Sequence, residues 1–286
     1  AHPGHGIELA RDRRQRRAQR SRQERLRTTS AVIQRPAVRP RLQHDFLVAG
    51  ERARLAQALP EIVDAHGADA SIARMQEPDP RSALNRASYD AIAPHWDAAR
   101  TGFSGRERAY LDALLDGLSA GAVVLDLGCG TGRPMAEHVV GRGHRIVGVD
   151  QSAALLALAR SRFPAETWIE SRIEDYVPDR RFAAAISWDA LFHVPRERHE
   201  AILARVTQAL APGGRLMLTA GGSAHPGFTD EMFGARFFYD SHAPDDTRAL
   251  LRRLGLRVLI DEFMNLPDGG RDKGRLAFVA QKEDRA

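Results

Sequence analysis

The sequence predicts an α/β protein built on a doubly wound sheet, and three observations carry that prediction. A mostly apolar stretch from Val124 to Leu127, interrupted by Asp126, leads into a glycine-rich turn that ends at Gly132. A carboxylate, Asp150, follows 22 residues after Gly128. Strand-like and helix-like segments then alternate through residue 280, which is the pattern of crossover connections in such a sheet. The strand, turn, helix and second strand together predict a binding site for a nucleotide-type cofactor.

The remaining elements follow in order along the chain. Pro134 is favoured in the first turn of a helix, and Ser152 is a typical N-cap for the next helix. The expected strands are 123–127, 146–149, 167–170, 182–187, 215–219, 257–263 and 276–280. The expected helices are 89–97, 106–118, one from Pro134, 152–160, 195–210 and 245–254, with one or two short helices within 45–73.

The spacing of the glycines distinguishes between cofactors. A dinucleotide fingerprint needs a third glycine at the position that Arg133 occupies, whereas here the third glycine, Gly132, comes one residue earlier. The segment from Leu125 to Gly132, followed by Gly148-Val149-Asp150, resembles the first motifs of the class I S-adenosylmethionine-dependent methyltransferases. The resemblance covers about the last two hundred residues.

The resemblance implies a Rossmann-like, mostly parallel sheet with an antiparallel last strand, in a methyltransferase domain over residues 81–286. It also implies S-adenosylmethionine as the cofactor. Asp126 would orient the amino-acid end of the cofactor, Asp150 would bind the ribose hydroxyls, and Gln151 would lie against the adenine. Further cofactor-binding residues are expected in the glycine turn (Gly128, Cys129, Gly130, Gly132), after strand three (Arg172, Ile173, Glu174) and after strand four (Trp188). Arg172 stands where the family commonly has an acid, so Glu174 or Asp175 would take over the contact with the adenine amine, or the backbone would make it.

The residues that bind the acceptor are harder to assign. His193, near the end of strand four, is a candidate general base, and it could equally stabilise its loop through a backbone carbonyl. Tyr89 and Trp96 belong to a segment that covers the cofactor in similar methyltransferases. Three aromatic residues after strand five, Phe233, Phe237 and Tyr239, belong either to a substrate lid or to an insertion that covers the core.

Several chemistries are not supported by the residues present. The spacing of His225, Asp240 and His242 does not suit a metal site, so no metal is expected. No Asn-Pro-Pro-aromatic tetrapeptide follows strand four, which counts against amino-group methylation of adenine or glutamine. Cys129 is the only cysteine, and it lies in the glycine turn. A helix N-terminus there would lower its pKa, but we interpret it as a small residue that fills the turn.

The first 80 residues differ in composition from the rest and are expected to form a poorly ordered, arginine-rich extension with short helices. Residues 1–42 contain 12 arginines and three acidic residues, a balance of +9, whereas the rest of the chain carries 30 basic and 34 acidic residues. This stretch is interpreted as a solvated tail, as an arm that binds nucleic-acid phosphates, or as sequence from an upstream reading frame, since the first methionine is Met75.

The sequence therefore predicts a cytoplasmic enzyme that transfers a methyl group from S-adenosylmethionine to a small molecule by in-line displacement. One alternative is an RNA or protein methyltransferase that docks through the arginine-rich arm. Another is a nucleotide-binding module without catalysis. Neither a membrane span nor a disulfide framework is expected.

Overall fold

A computed structural model describes residues 79–270 and 272–283 of the chain. The expected arginine-rich extension and the helices within 45–73 lie outside these residues. Two helices precede the sheet, and the first is capped by the side chain of Asp79, which accepts a hydrogen bond from the backbone N–H of Arg81. These helices are α1 (Pro80–Ala99) and α2 (Glu107–Leu115).

A seven-stranded sheet forms the centre of the described domain. The crossover helices begin where the sequence indicates: Pro134 precedes one, and the Ser152 hydroxyl caps the other by accepting from the N–H of Leu155. The first half comprises β1 (Val123–Leu127), α3 (Met135–Gly141), β2 (Arg145–Asp150), α4 (Ala153–Arg162), β3 (Thr167–Glu170) and β4 (Phe182–Ser187). The second half comprises α5 (His199–Ala209), β5 (Leu210–Gly221), β6 (Phe228–Met232), β7 (Ala235–Tyr239), α6 (Pro244–Arg253), β8 (Leu256–Asn265) and β9 (Arg275–Lys282).

The strand order is β3-β2-β1-β4-β5-β9-β8, and only β9 runs against the other strands of this sheet. The fold is therefore the mostly parallel, doubly wound sheet with an antiparallel last strand that the sequence predicts. The order reverses between β1 and β4, where crossovers leave to opposite sides. Such a switch point opens a crevice at the carboxyl ends of the strands, which is where ligands bind in this architecture.

Two apolar layers pack on the two faces of the sheet. One layer contains Leu125, Val149 and Leu203, and the other contains Val124, Leu156 and Met217, all buried. The opposite faces of β1 supply Val124 and Leu125 to different layers, as side-chain alternation along a strand requires. Both faces of β1 are thus covered, and its carboxyl end remains the open edge.

Two features differ from the expected elements. Strand β5 begins at Leu210 and not at Arg215 as expected, so residues 211–214 are part of the strand. The aromatic segment after β5 is a β-hairpin, with β6 and β7 paired as a separate two-stranded sheet. Within the described ranges, no helix has the length and apolar character needed to span a membrane.

Candidate functional site

The glycine turn brings backbone close to the loop after β4. Gly128 has a φ of 78°, and a Cβ at this position would lie 2.2 Å from the Cβ of Ala190. The backbone N–H of Gly128 donates to the carbonyl of Val149 at 2.7 Å, which ties the turn to β2. A side chain at Gly128 is therefore excluded by both the conformation and the space.

Asp150 is the last residue of β2, and its carboxylate holds the glycine turn. Its Oδ2 accepts from the backbone N–H of Gly130 at 2.9 Å, and its Oδ1 accepts from the N–H of Ser152 at 2.9 Å. Burial raises the pKa of this carboxyl, and the two backbone hydrogen bonds oppose that shift. Each oxygen retains a lone pair, so the group can still accept hydrogen bonds from a diol.

Asp126 is the penultimate residue of β1, near Asp150, and is 2% exposed. Burial, with the nearby Asp150 charge, raises its pKa to about 7. Among the described residues, Asp126 Oδ2 and Gln151 Oε1 are buried acceptors without a hydrogen-bond partner. Unpaired buried acceptors are costly, so this pair suits a ligand that brings N–H or O–H donors.

A cavity of about 610 Å³ lies at this edge, between α1 and the carboxyl ends of β1, β2 and β4. Ten residues expected to bind cofactor or acceptor, or to act as the base, line it: Tyr89, Trp96, Gly128, Gly130, Asp150, Gln151, Ile173, Glu174, Trp188 and His193.

Other expected cofactor residues lie beside this cavity without lining it. Arg172 pairs with Asp175 at 2.5 Å, and the Ser82 hydroxyl donates to Glu174, which does line the cavity. Gly132 faces the rings of Phe163 and Trp168. Like Arg172 and Gly132, Asp126 and Cys129 do not line the cavity.

Cys129 packs in the core, and burial raises the pKa of its thiol well above the ordinary value. The expected lowering at a helix N-terminus does not occur, since α3 begins only at Met135. The interpretation of Cys129 as a small residue that fills the turn agrees with this position.

Both ring nitrogens of His193 are engaged. Nδ1 lies 2.9 Å from the carbonyl oxygen of Phe238, which can only accept, so Nδ1 carries the proton. Nε2 therefore accepts from the Tyr89 hydroxyl at 2.9 Å. Burial lowers the pKa of His193 to about 4. Of the two roles considered for His193, this geometry favours the one in which it holds its loop through a backbone carbonyl.

Trp188 forms part of the wall through a buried polar contact. Its indole N–H donates to Glu107 Oε1 at 3.2 Å, and Glu107 is itself paired with Arg100 at 2.8 Å. The ring is thus fixed by residues of α2 and of the segment after α1. Its orientation does not depend on a ligand.

The three aromatic residues of the hairpin have different environments. Phe237 is fully buried against Tyr89, with ring centroids 4.8 Å apart. Tyr239 lies 4.8 Å from the His193 ring and lines a second cavity of about 1050 Å³. Phe233 is 50% exposed at the tip of the hairpin and stacks on His95. The hairpin therefore both covers the core and walls a cavity.

The sequence analysis does not identify five residues that line the first cavity. Leu155, Ala190 and Val194 are apolar residues that only the tertiary arrangement places there, and Ser82 reaches the cavity from the start of α1. Asp189 had a usable signal, since it is an acidic residue two positions after a buried parallel strand. In the described ranges, no group of three or more His, Cys, Asp or Glu side chains is placed to hold a metal ion.

Comparison with known proteins places this geometry in a family. Residues 124–214 match the family model described as "Methyltransferase domain". These residues run from β1 to β5 and contain most of the cavity lining. Over these residues, the chain is similar to methyltransferase domains. The expectation drawn from the glycine turn and Asp150 is thereby confirmed.

Relatives extend this likeness over part of the chain. A trans-aconitate 2-methyltransferase of Paracidovorax citrulli (strain AAC00-1) is 37% identical over 110 residues, which are 35% of this chain and 39% of that protein. The O-methyltransferase cnsE of Penicillium expansum is 30% identical over 151 residues, 49% of this chain and 53% of that protein. The chain thus spans about two fifths to a half of the length of these curated relatives.

A solved structure supports the fold over a longer stretch. The 1,6-didemethyltoxoflavin-N1-methyltransferase of Burkholderia thailandensis, solved with bound 1,6-didemethyltoxoflavin and S-adenosylhomocysteine, aligns with a TM-score of 0.56 at 23% identity. The alignment covers 78% of this chain and 94% of that one. At this identity, the likeness supports the Rossmann-like methyltransferase fold of the described domain.

Proposed function

We propose that this protein transfers a methyl group from S-adenosylmethionine to a small-molecule acceptor. The observation that carries the proposal is the edge formed by β1 and β2, where Asp150 binds the glycine turn and Asp126 and Gln151 present unpaired buried acceptors. The donors of S-adenosylmethionine, an ammonium, a ribose diol and an adenine amine, complement these acceptors.

The chain's contribution to catalysis is mainly to position the reactants. When bound, the cofactor supplies an electrophilic methyl group on a sulfonium. Asp150 would bind the ribose diol, Asp126 would orient the ammonium, and Gln151 would face the adenine. Trp188 and Tyr89 would wall the reacting end, and helix α1 over the cavity would exclude water. Holding donor and acceptor in line accounts for a large part of such a rate enhancement.

A small-molecule acceptor fits the cavities and the relatives. The Paracidovorax relative is named for trans-aconitate and the Burkholderia structure holds a small heterocycle, and both support this class. We propose residues 81–286 as the methyltransferase domain and a cytoplasmic location, in keeping with the single cysteine. Docking of RNA or protein through residues 1–80 is the alternative, on the strength of their +9 charge balance over residues 1–42.

Calorimetric titration with S-adenosylhomocysteine tests the cofactor assignment. We expect binding to the wild type and at least about tenfold weaker binding to Asp150→Ala, because a charged acceptor is lost. Asp179→Asn, at an exposed carboxylate, serves as the control and should bind as the wild type does. An absence of binding to the wild type would refute the proposed function, and full affinity of Asp150→Ala would refute the role of Asp150.

A further inference from the structure

The second residue after β4 has an unusual backbone conformation. Asp189 has a φ of 50°, in the left-handed region that non-glycine residues seldom adopt. Its backbone N–H donates to the Thr219 hydroxyl at 2.7 Å, which holds the conformation in place. Strain of this kind in a cavity wall points to a role for the side chain.

The carboxylate of Asp189 is held on one side and open on the other. Its Oδ2 accepts from the Arg275 guanidinium at 2.8 Å, whereas its buried Oδ1 has no hydrogen-bond partner among the described residues. Asp189 lines the first cavity and Arg275 lines the second. The ion pair therefore lies where the two cavities approach each other.

The second cavity has the character of an acceptor site. Phe192, Phe228 and Tyr239 provide aromatic walls on the side of the hairpin, and the facing loop ends at Arg275. Planar apolar molecules pack well on such walls. Asp189 stands beside it with an oxygen that can take a hydrogen bond or a proton.

His193 is poorly suited to take that proton. Its Nε2 already accepts from Tyr89, and its surroundings disfavour the charged imidazolium. Burial raises the pKa of the Asp189 carboxyl, with Glu107 acting in the same sense, and the cations Arg275 and Arg100 oppose that shift. A base whose pKa lies above that of an ordinary carboxylate is better matched to proton transfer near neutral pH.

We propose that Asp189 is the general base and that the acceptor is an aromatic compound with a hydroxyl group. The inference rests on the proposed methyltransferase function. The hydroxyl oxygen forms a bond to the methyl carbon while the carbon–sulfur bond breaks and its electron pair goes to sulfur. The hydroxyl proton passes to Asp189 Oδ1. The products are a methyl ether, neutral S-adenosylhomocysteine and a protonated Asp189.

The first test is binding in the full-length protein saturated with S-adenosylhomocysteine. We expect protonated 4-nitrophenol to bind at least about tenfold more weakly to Asp189→Asn than to the wild type, because a carboxylate acceptor is lost. The ether 4-nitroanisole has no proton to donate and should bind both proteins alike. The matched control is Asp261→Asn. It removes a carboxylate of β8 that is paired with Arg248 of α6, and it should leave both affinities unchanged.

The second test is turnover with 4-nitrophenol. We expect kcat of Asp189→Asn to fall about a hundredfold at about pH 6, where 4-nitrophenol is mostly protonated, and to recover above about pH 8, where the phenol ionises by itself. Arg275→Met removes the cation that lowers the Asp189 pKa, so the acid limb of the pH profile should move to higher pH. A merely structural pair would lower activity without this movement.

The outcomes separate the two proposals. If S-adenosylhomocysteine does not bind the wild type, the methyltransferase function itself fails. If it binds wild type and Asp189→Asn alike, but Asp189→Asn retains 4-nitrophenol affinity and kcat, the base assignment is overturned. Transfer to carboxylate probes such as benzoate with none to 4-nitrophenol overturns the acceptor class.

Discussion

Asp126 and Asp150 lie near the carboxyl ends of neighbouring parallel strands, yet their surroundings give the two carboxyl groups different chemistry. Asp150 is satisfied by two backbone N–H groups, whereas Oδ2 of Asp126 is buried without a partner. A buried, unpaired carboxyl favours the protonated form, and the neighbouring charge adds to that preference. The folded protein therefore binds a proton at Asp126 up to about pH 7.

This shift predicts how stability depends on pH. The folded pKa of Asp126 lies above the unfolded value, so its contribution to stability is lost as pH rises from about 4 through about 7. Asp126→Asn removes the ionisation. We expect the variant to gain stability over the wild type at about pH 8.5 relative to about pH 5, as measured by urea unfolding. An equal stability difference between variant and wild type at the two pH values would contradict the pKa shift. Asp179→Asn, at an exposed carboxylate, is the control.

Individual residues of the site were predictable where a motif fixes both type and spacing. Gly128, Gly130 and Asp150 fall in the cavity wall as the glycine turn and the 22-residue spacing suggest. The state of His193 was not predictable, because it depends on a carbonyl 45 residues away at Phe238. The importance of Asp189 depends on its left-handed backbone conformation, which the local sequence does not predict.

Helix α1 and the hairpin are joined by one buried amide. Asn85 is fully buried, and its Nδ2 donates to the carbonyls of His193 and Phe238 while its Oδ1 accepts from the Phe238 N–H. These bonds fix the helix that covers the first cavity to the loop that carries His193. The contact links elements more than a hundred residues apart, so sequence patterns predict the elements but not this connection.

Removing that amide should be costly. Asn85→Ala takes these partners from the buried carbonyl of His193 and the buried N–H of Phe238, whereas the Phe238 carbonyl keeps its hydrogen bond from His193 Nδ1. We expect a loss of about 3 kcal/mol in the free energy of unfolding. Urea denaturation provides the measurement. Ser88→Ala removes a single hydrogen bond from α1 to the carbonyl of Arg236 and should cost distinctly less. Equal losses in the two variants would argue against a special role of Asn85.

The tip of the hairpin offers a test of the expected substrate contact at Phe233. Phe233 and Gly234 have φ values of 52° and 77°, as a two-residue turn of type I′ requires, and asparagine suits the first position better than phenylalanine. Phe233→Asn should therefore keep or slightly raise the melting temperature. If Phe233 contacts the acceptor, KM for the acceptor rises. An unchanged KM with an intact fold would remove Phe233 from the binding residues.

At the scale of the whole molecule, the first cavity is built within one part of the chain. Its lining residues run from Ser82 to Val194, and the family match falls at 124–214. The doubly wound sheet was predictable from the alternation of strands and helices, and the antiparallel last strand from the family resemblance. The neighbouring positions of the two cavities were not predictable, because they depend on where the hairpin and the β8–β9 connection lie over the sheet.

This arrangement predicts the effect of removing residues 1–74, which carry the arginine-rich stretch. The residues that line the cavity lie after this segment, so S-adenosylhomocysteine affinity should stay within about twofold of that of the full chain. If the arm binds nucleic acid, RNA affinity of the full chain should fall steeply between about 50 and about 200 mM salt and be lost on truncation. Calorimetry measures the cofactor affinity and an RNA-binding assay measures the RNA affinity, each on the full chain and on the truncated protein. A loss of cofactor affinity on truncation would show that the arginine-rich segment contributes to the methyltransferase site.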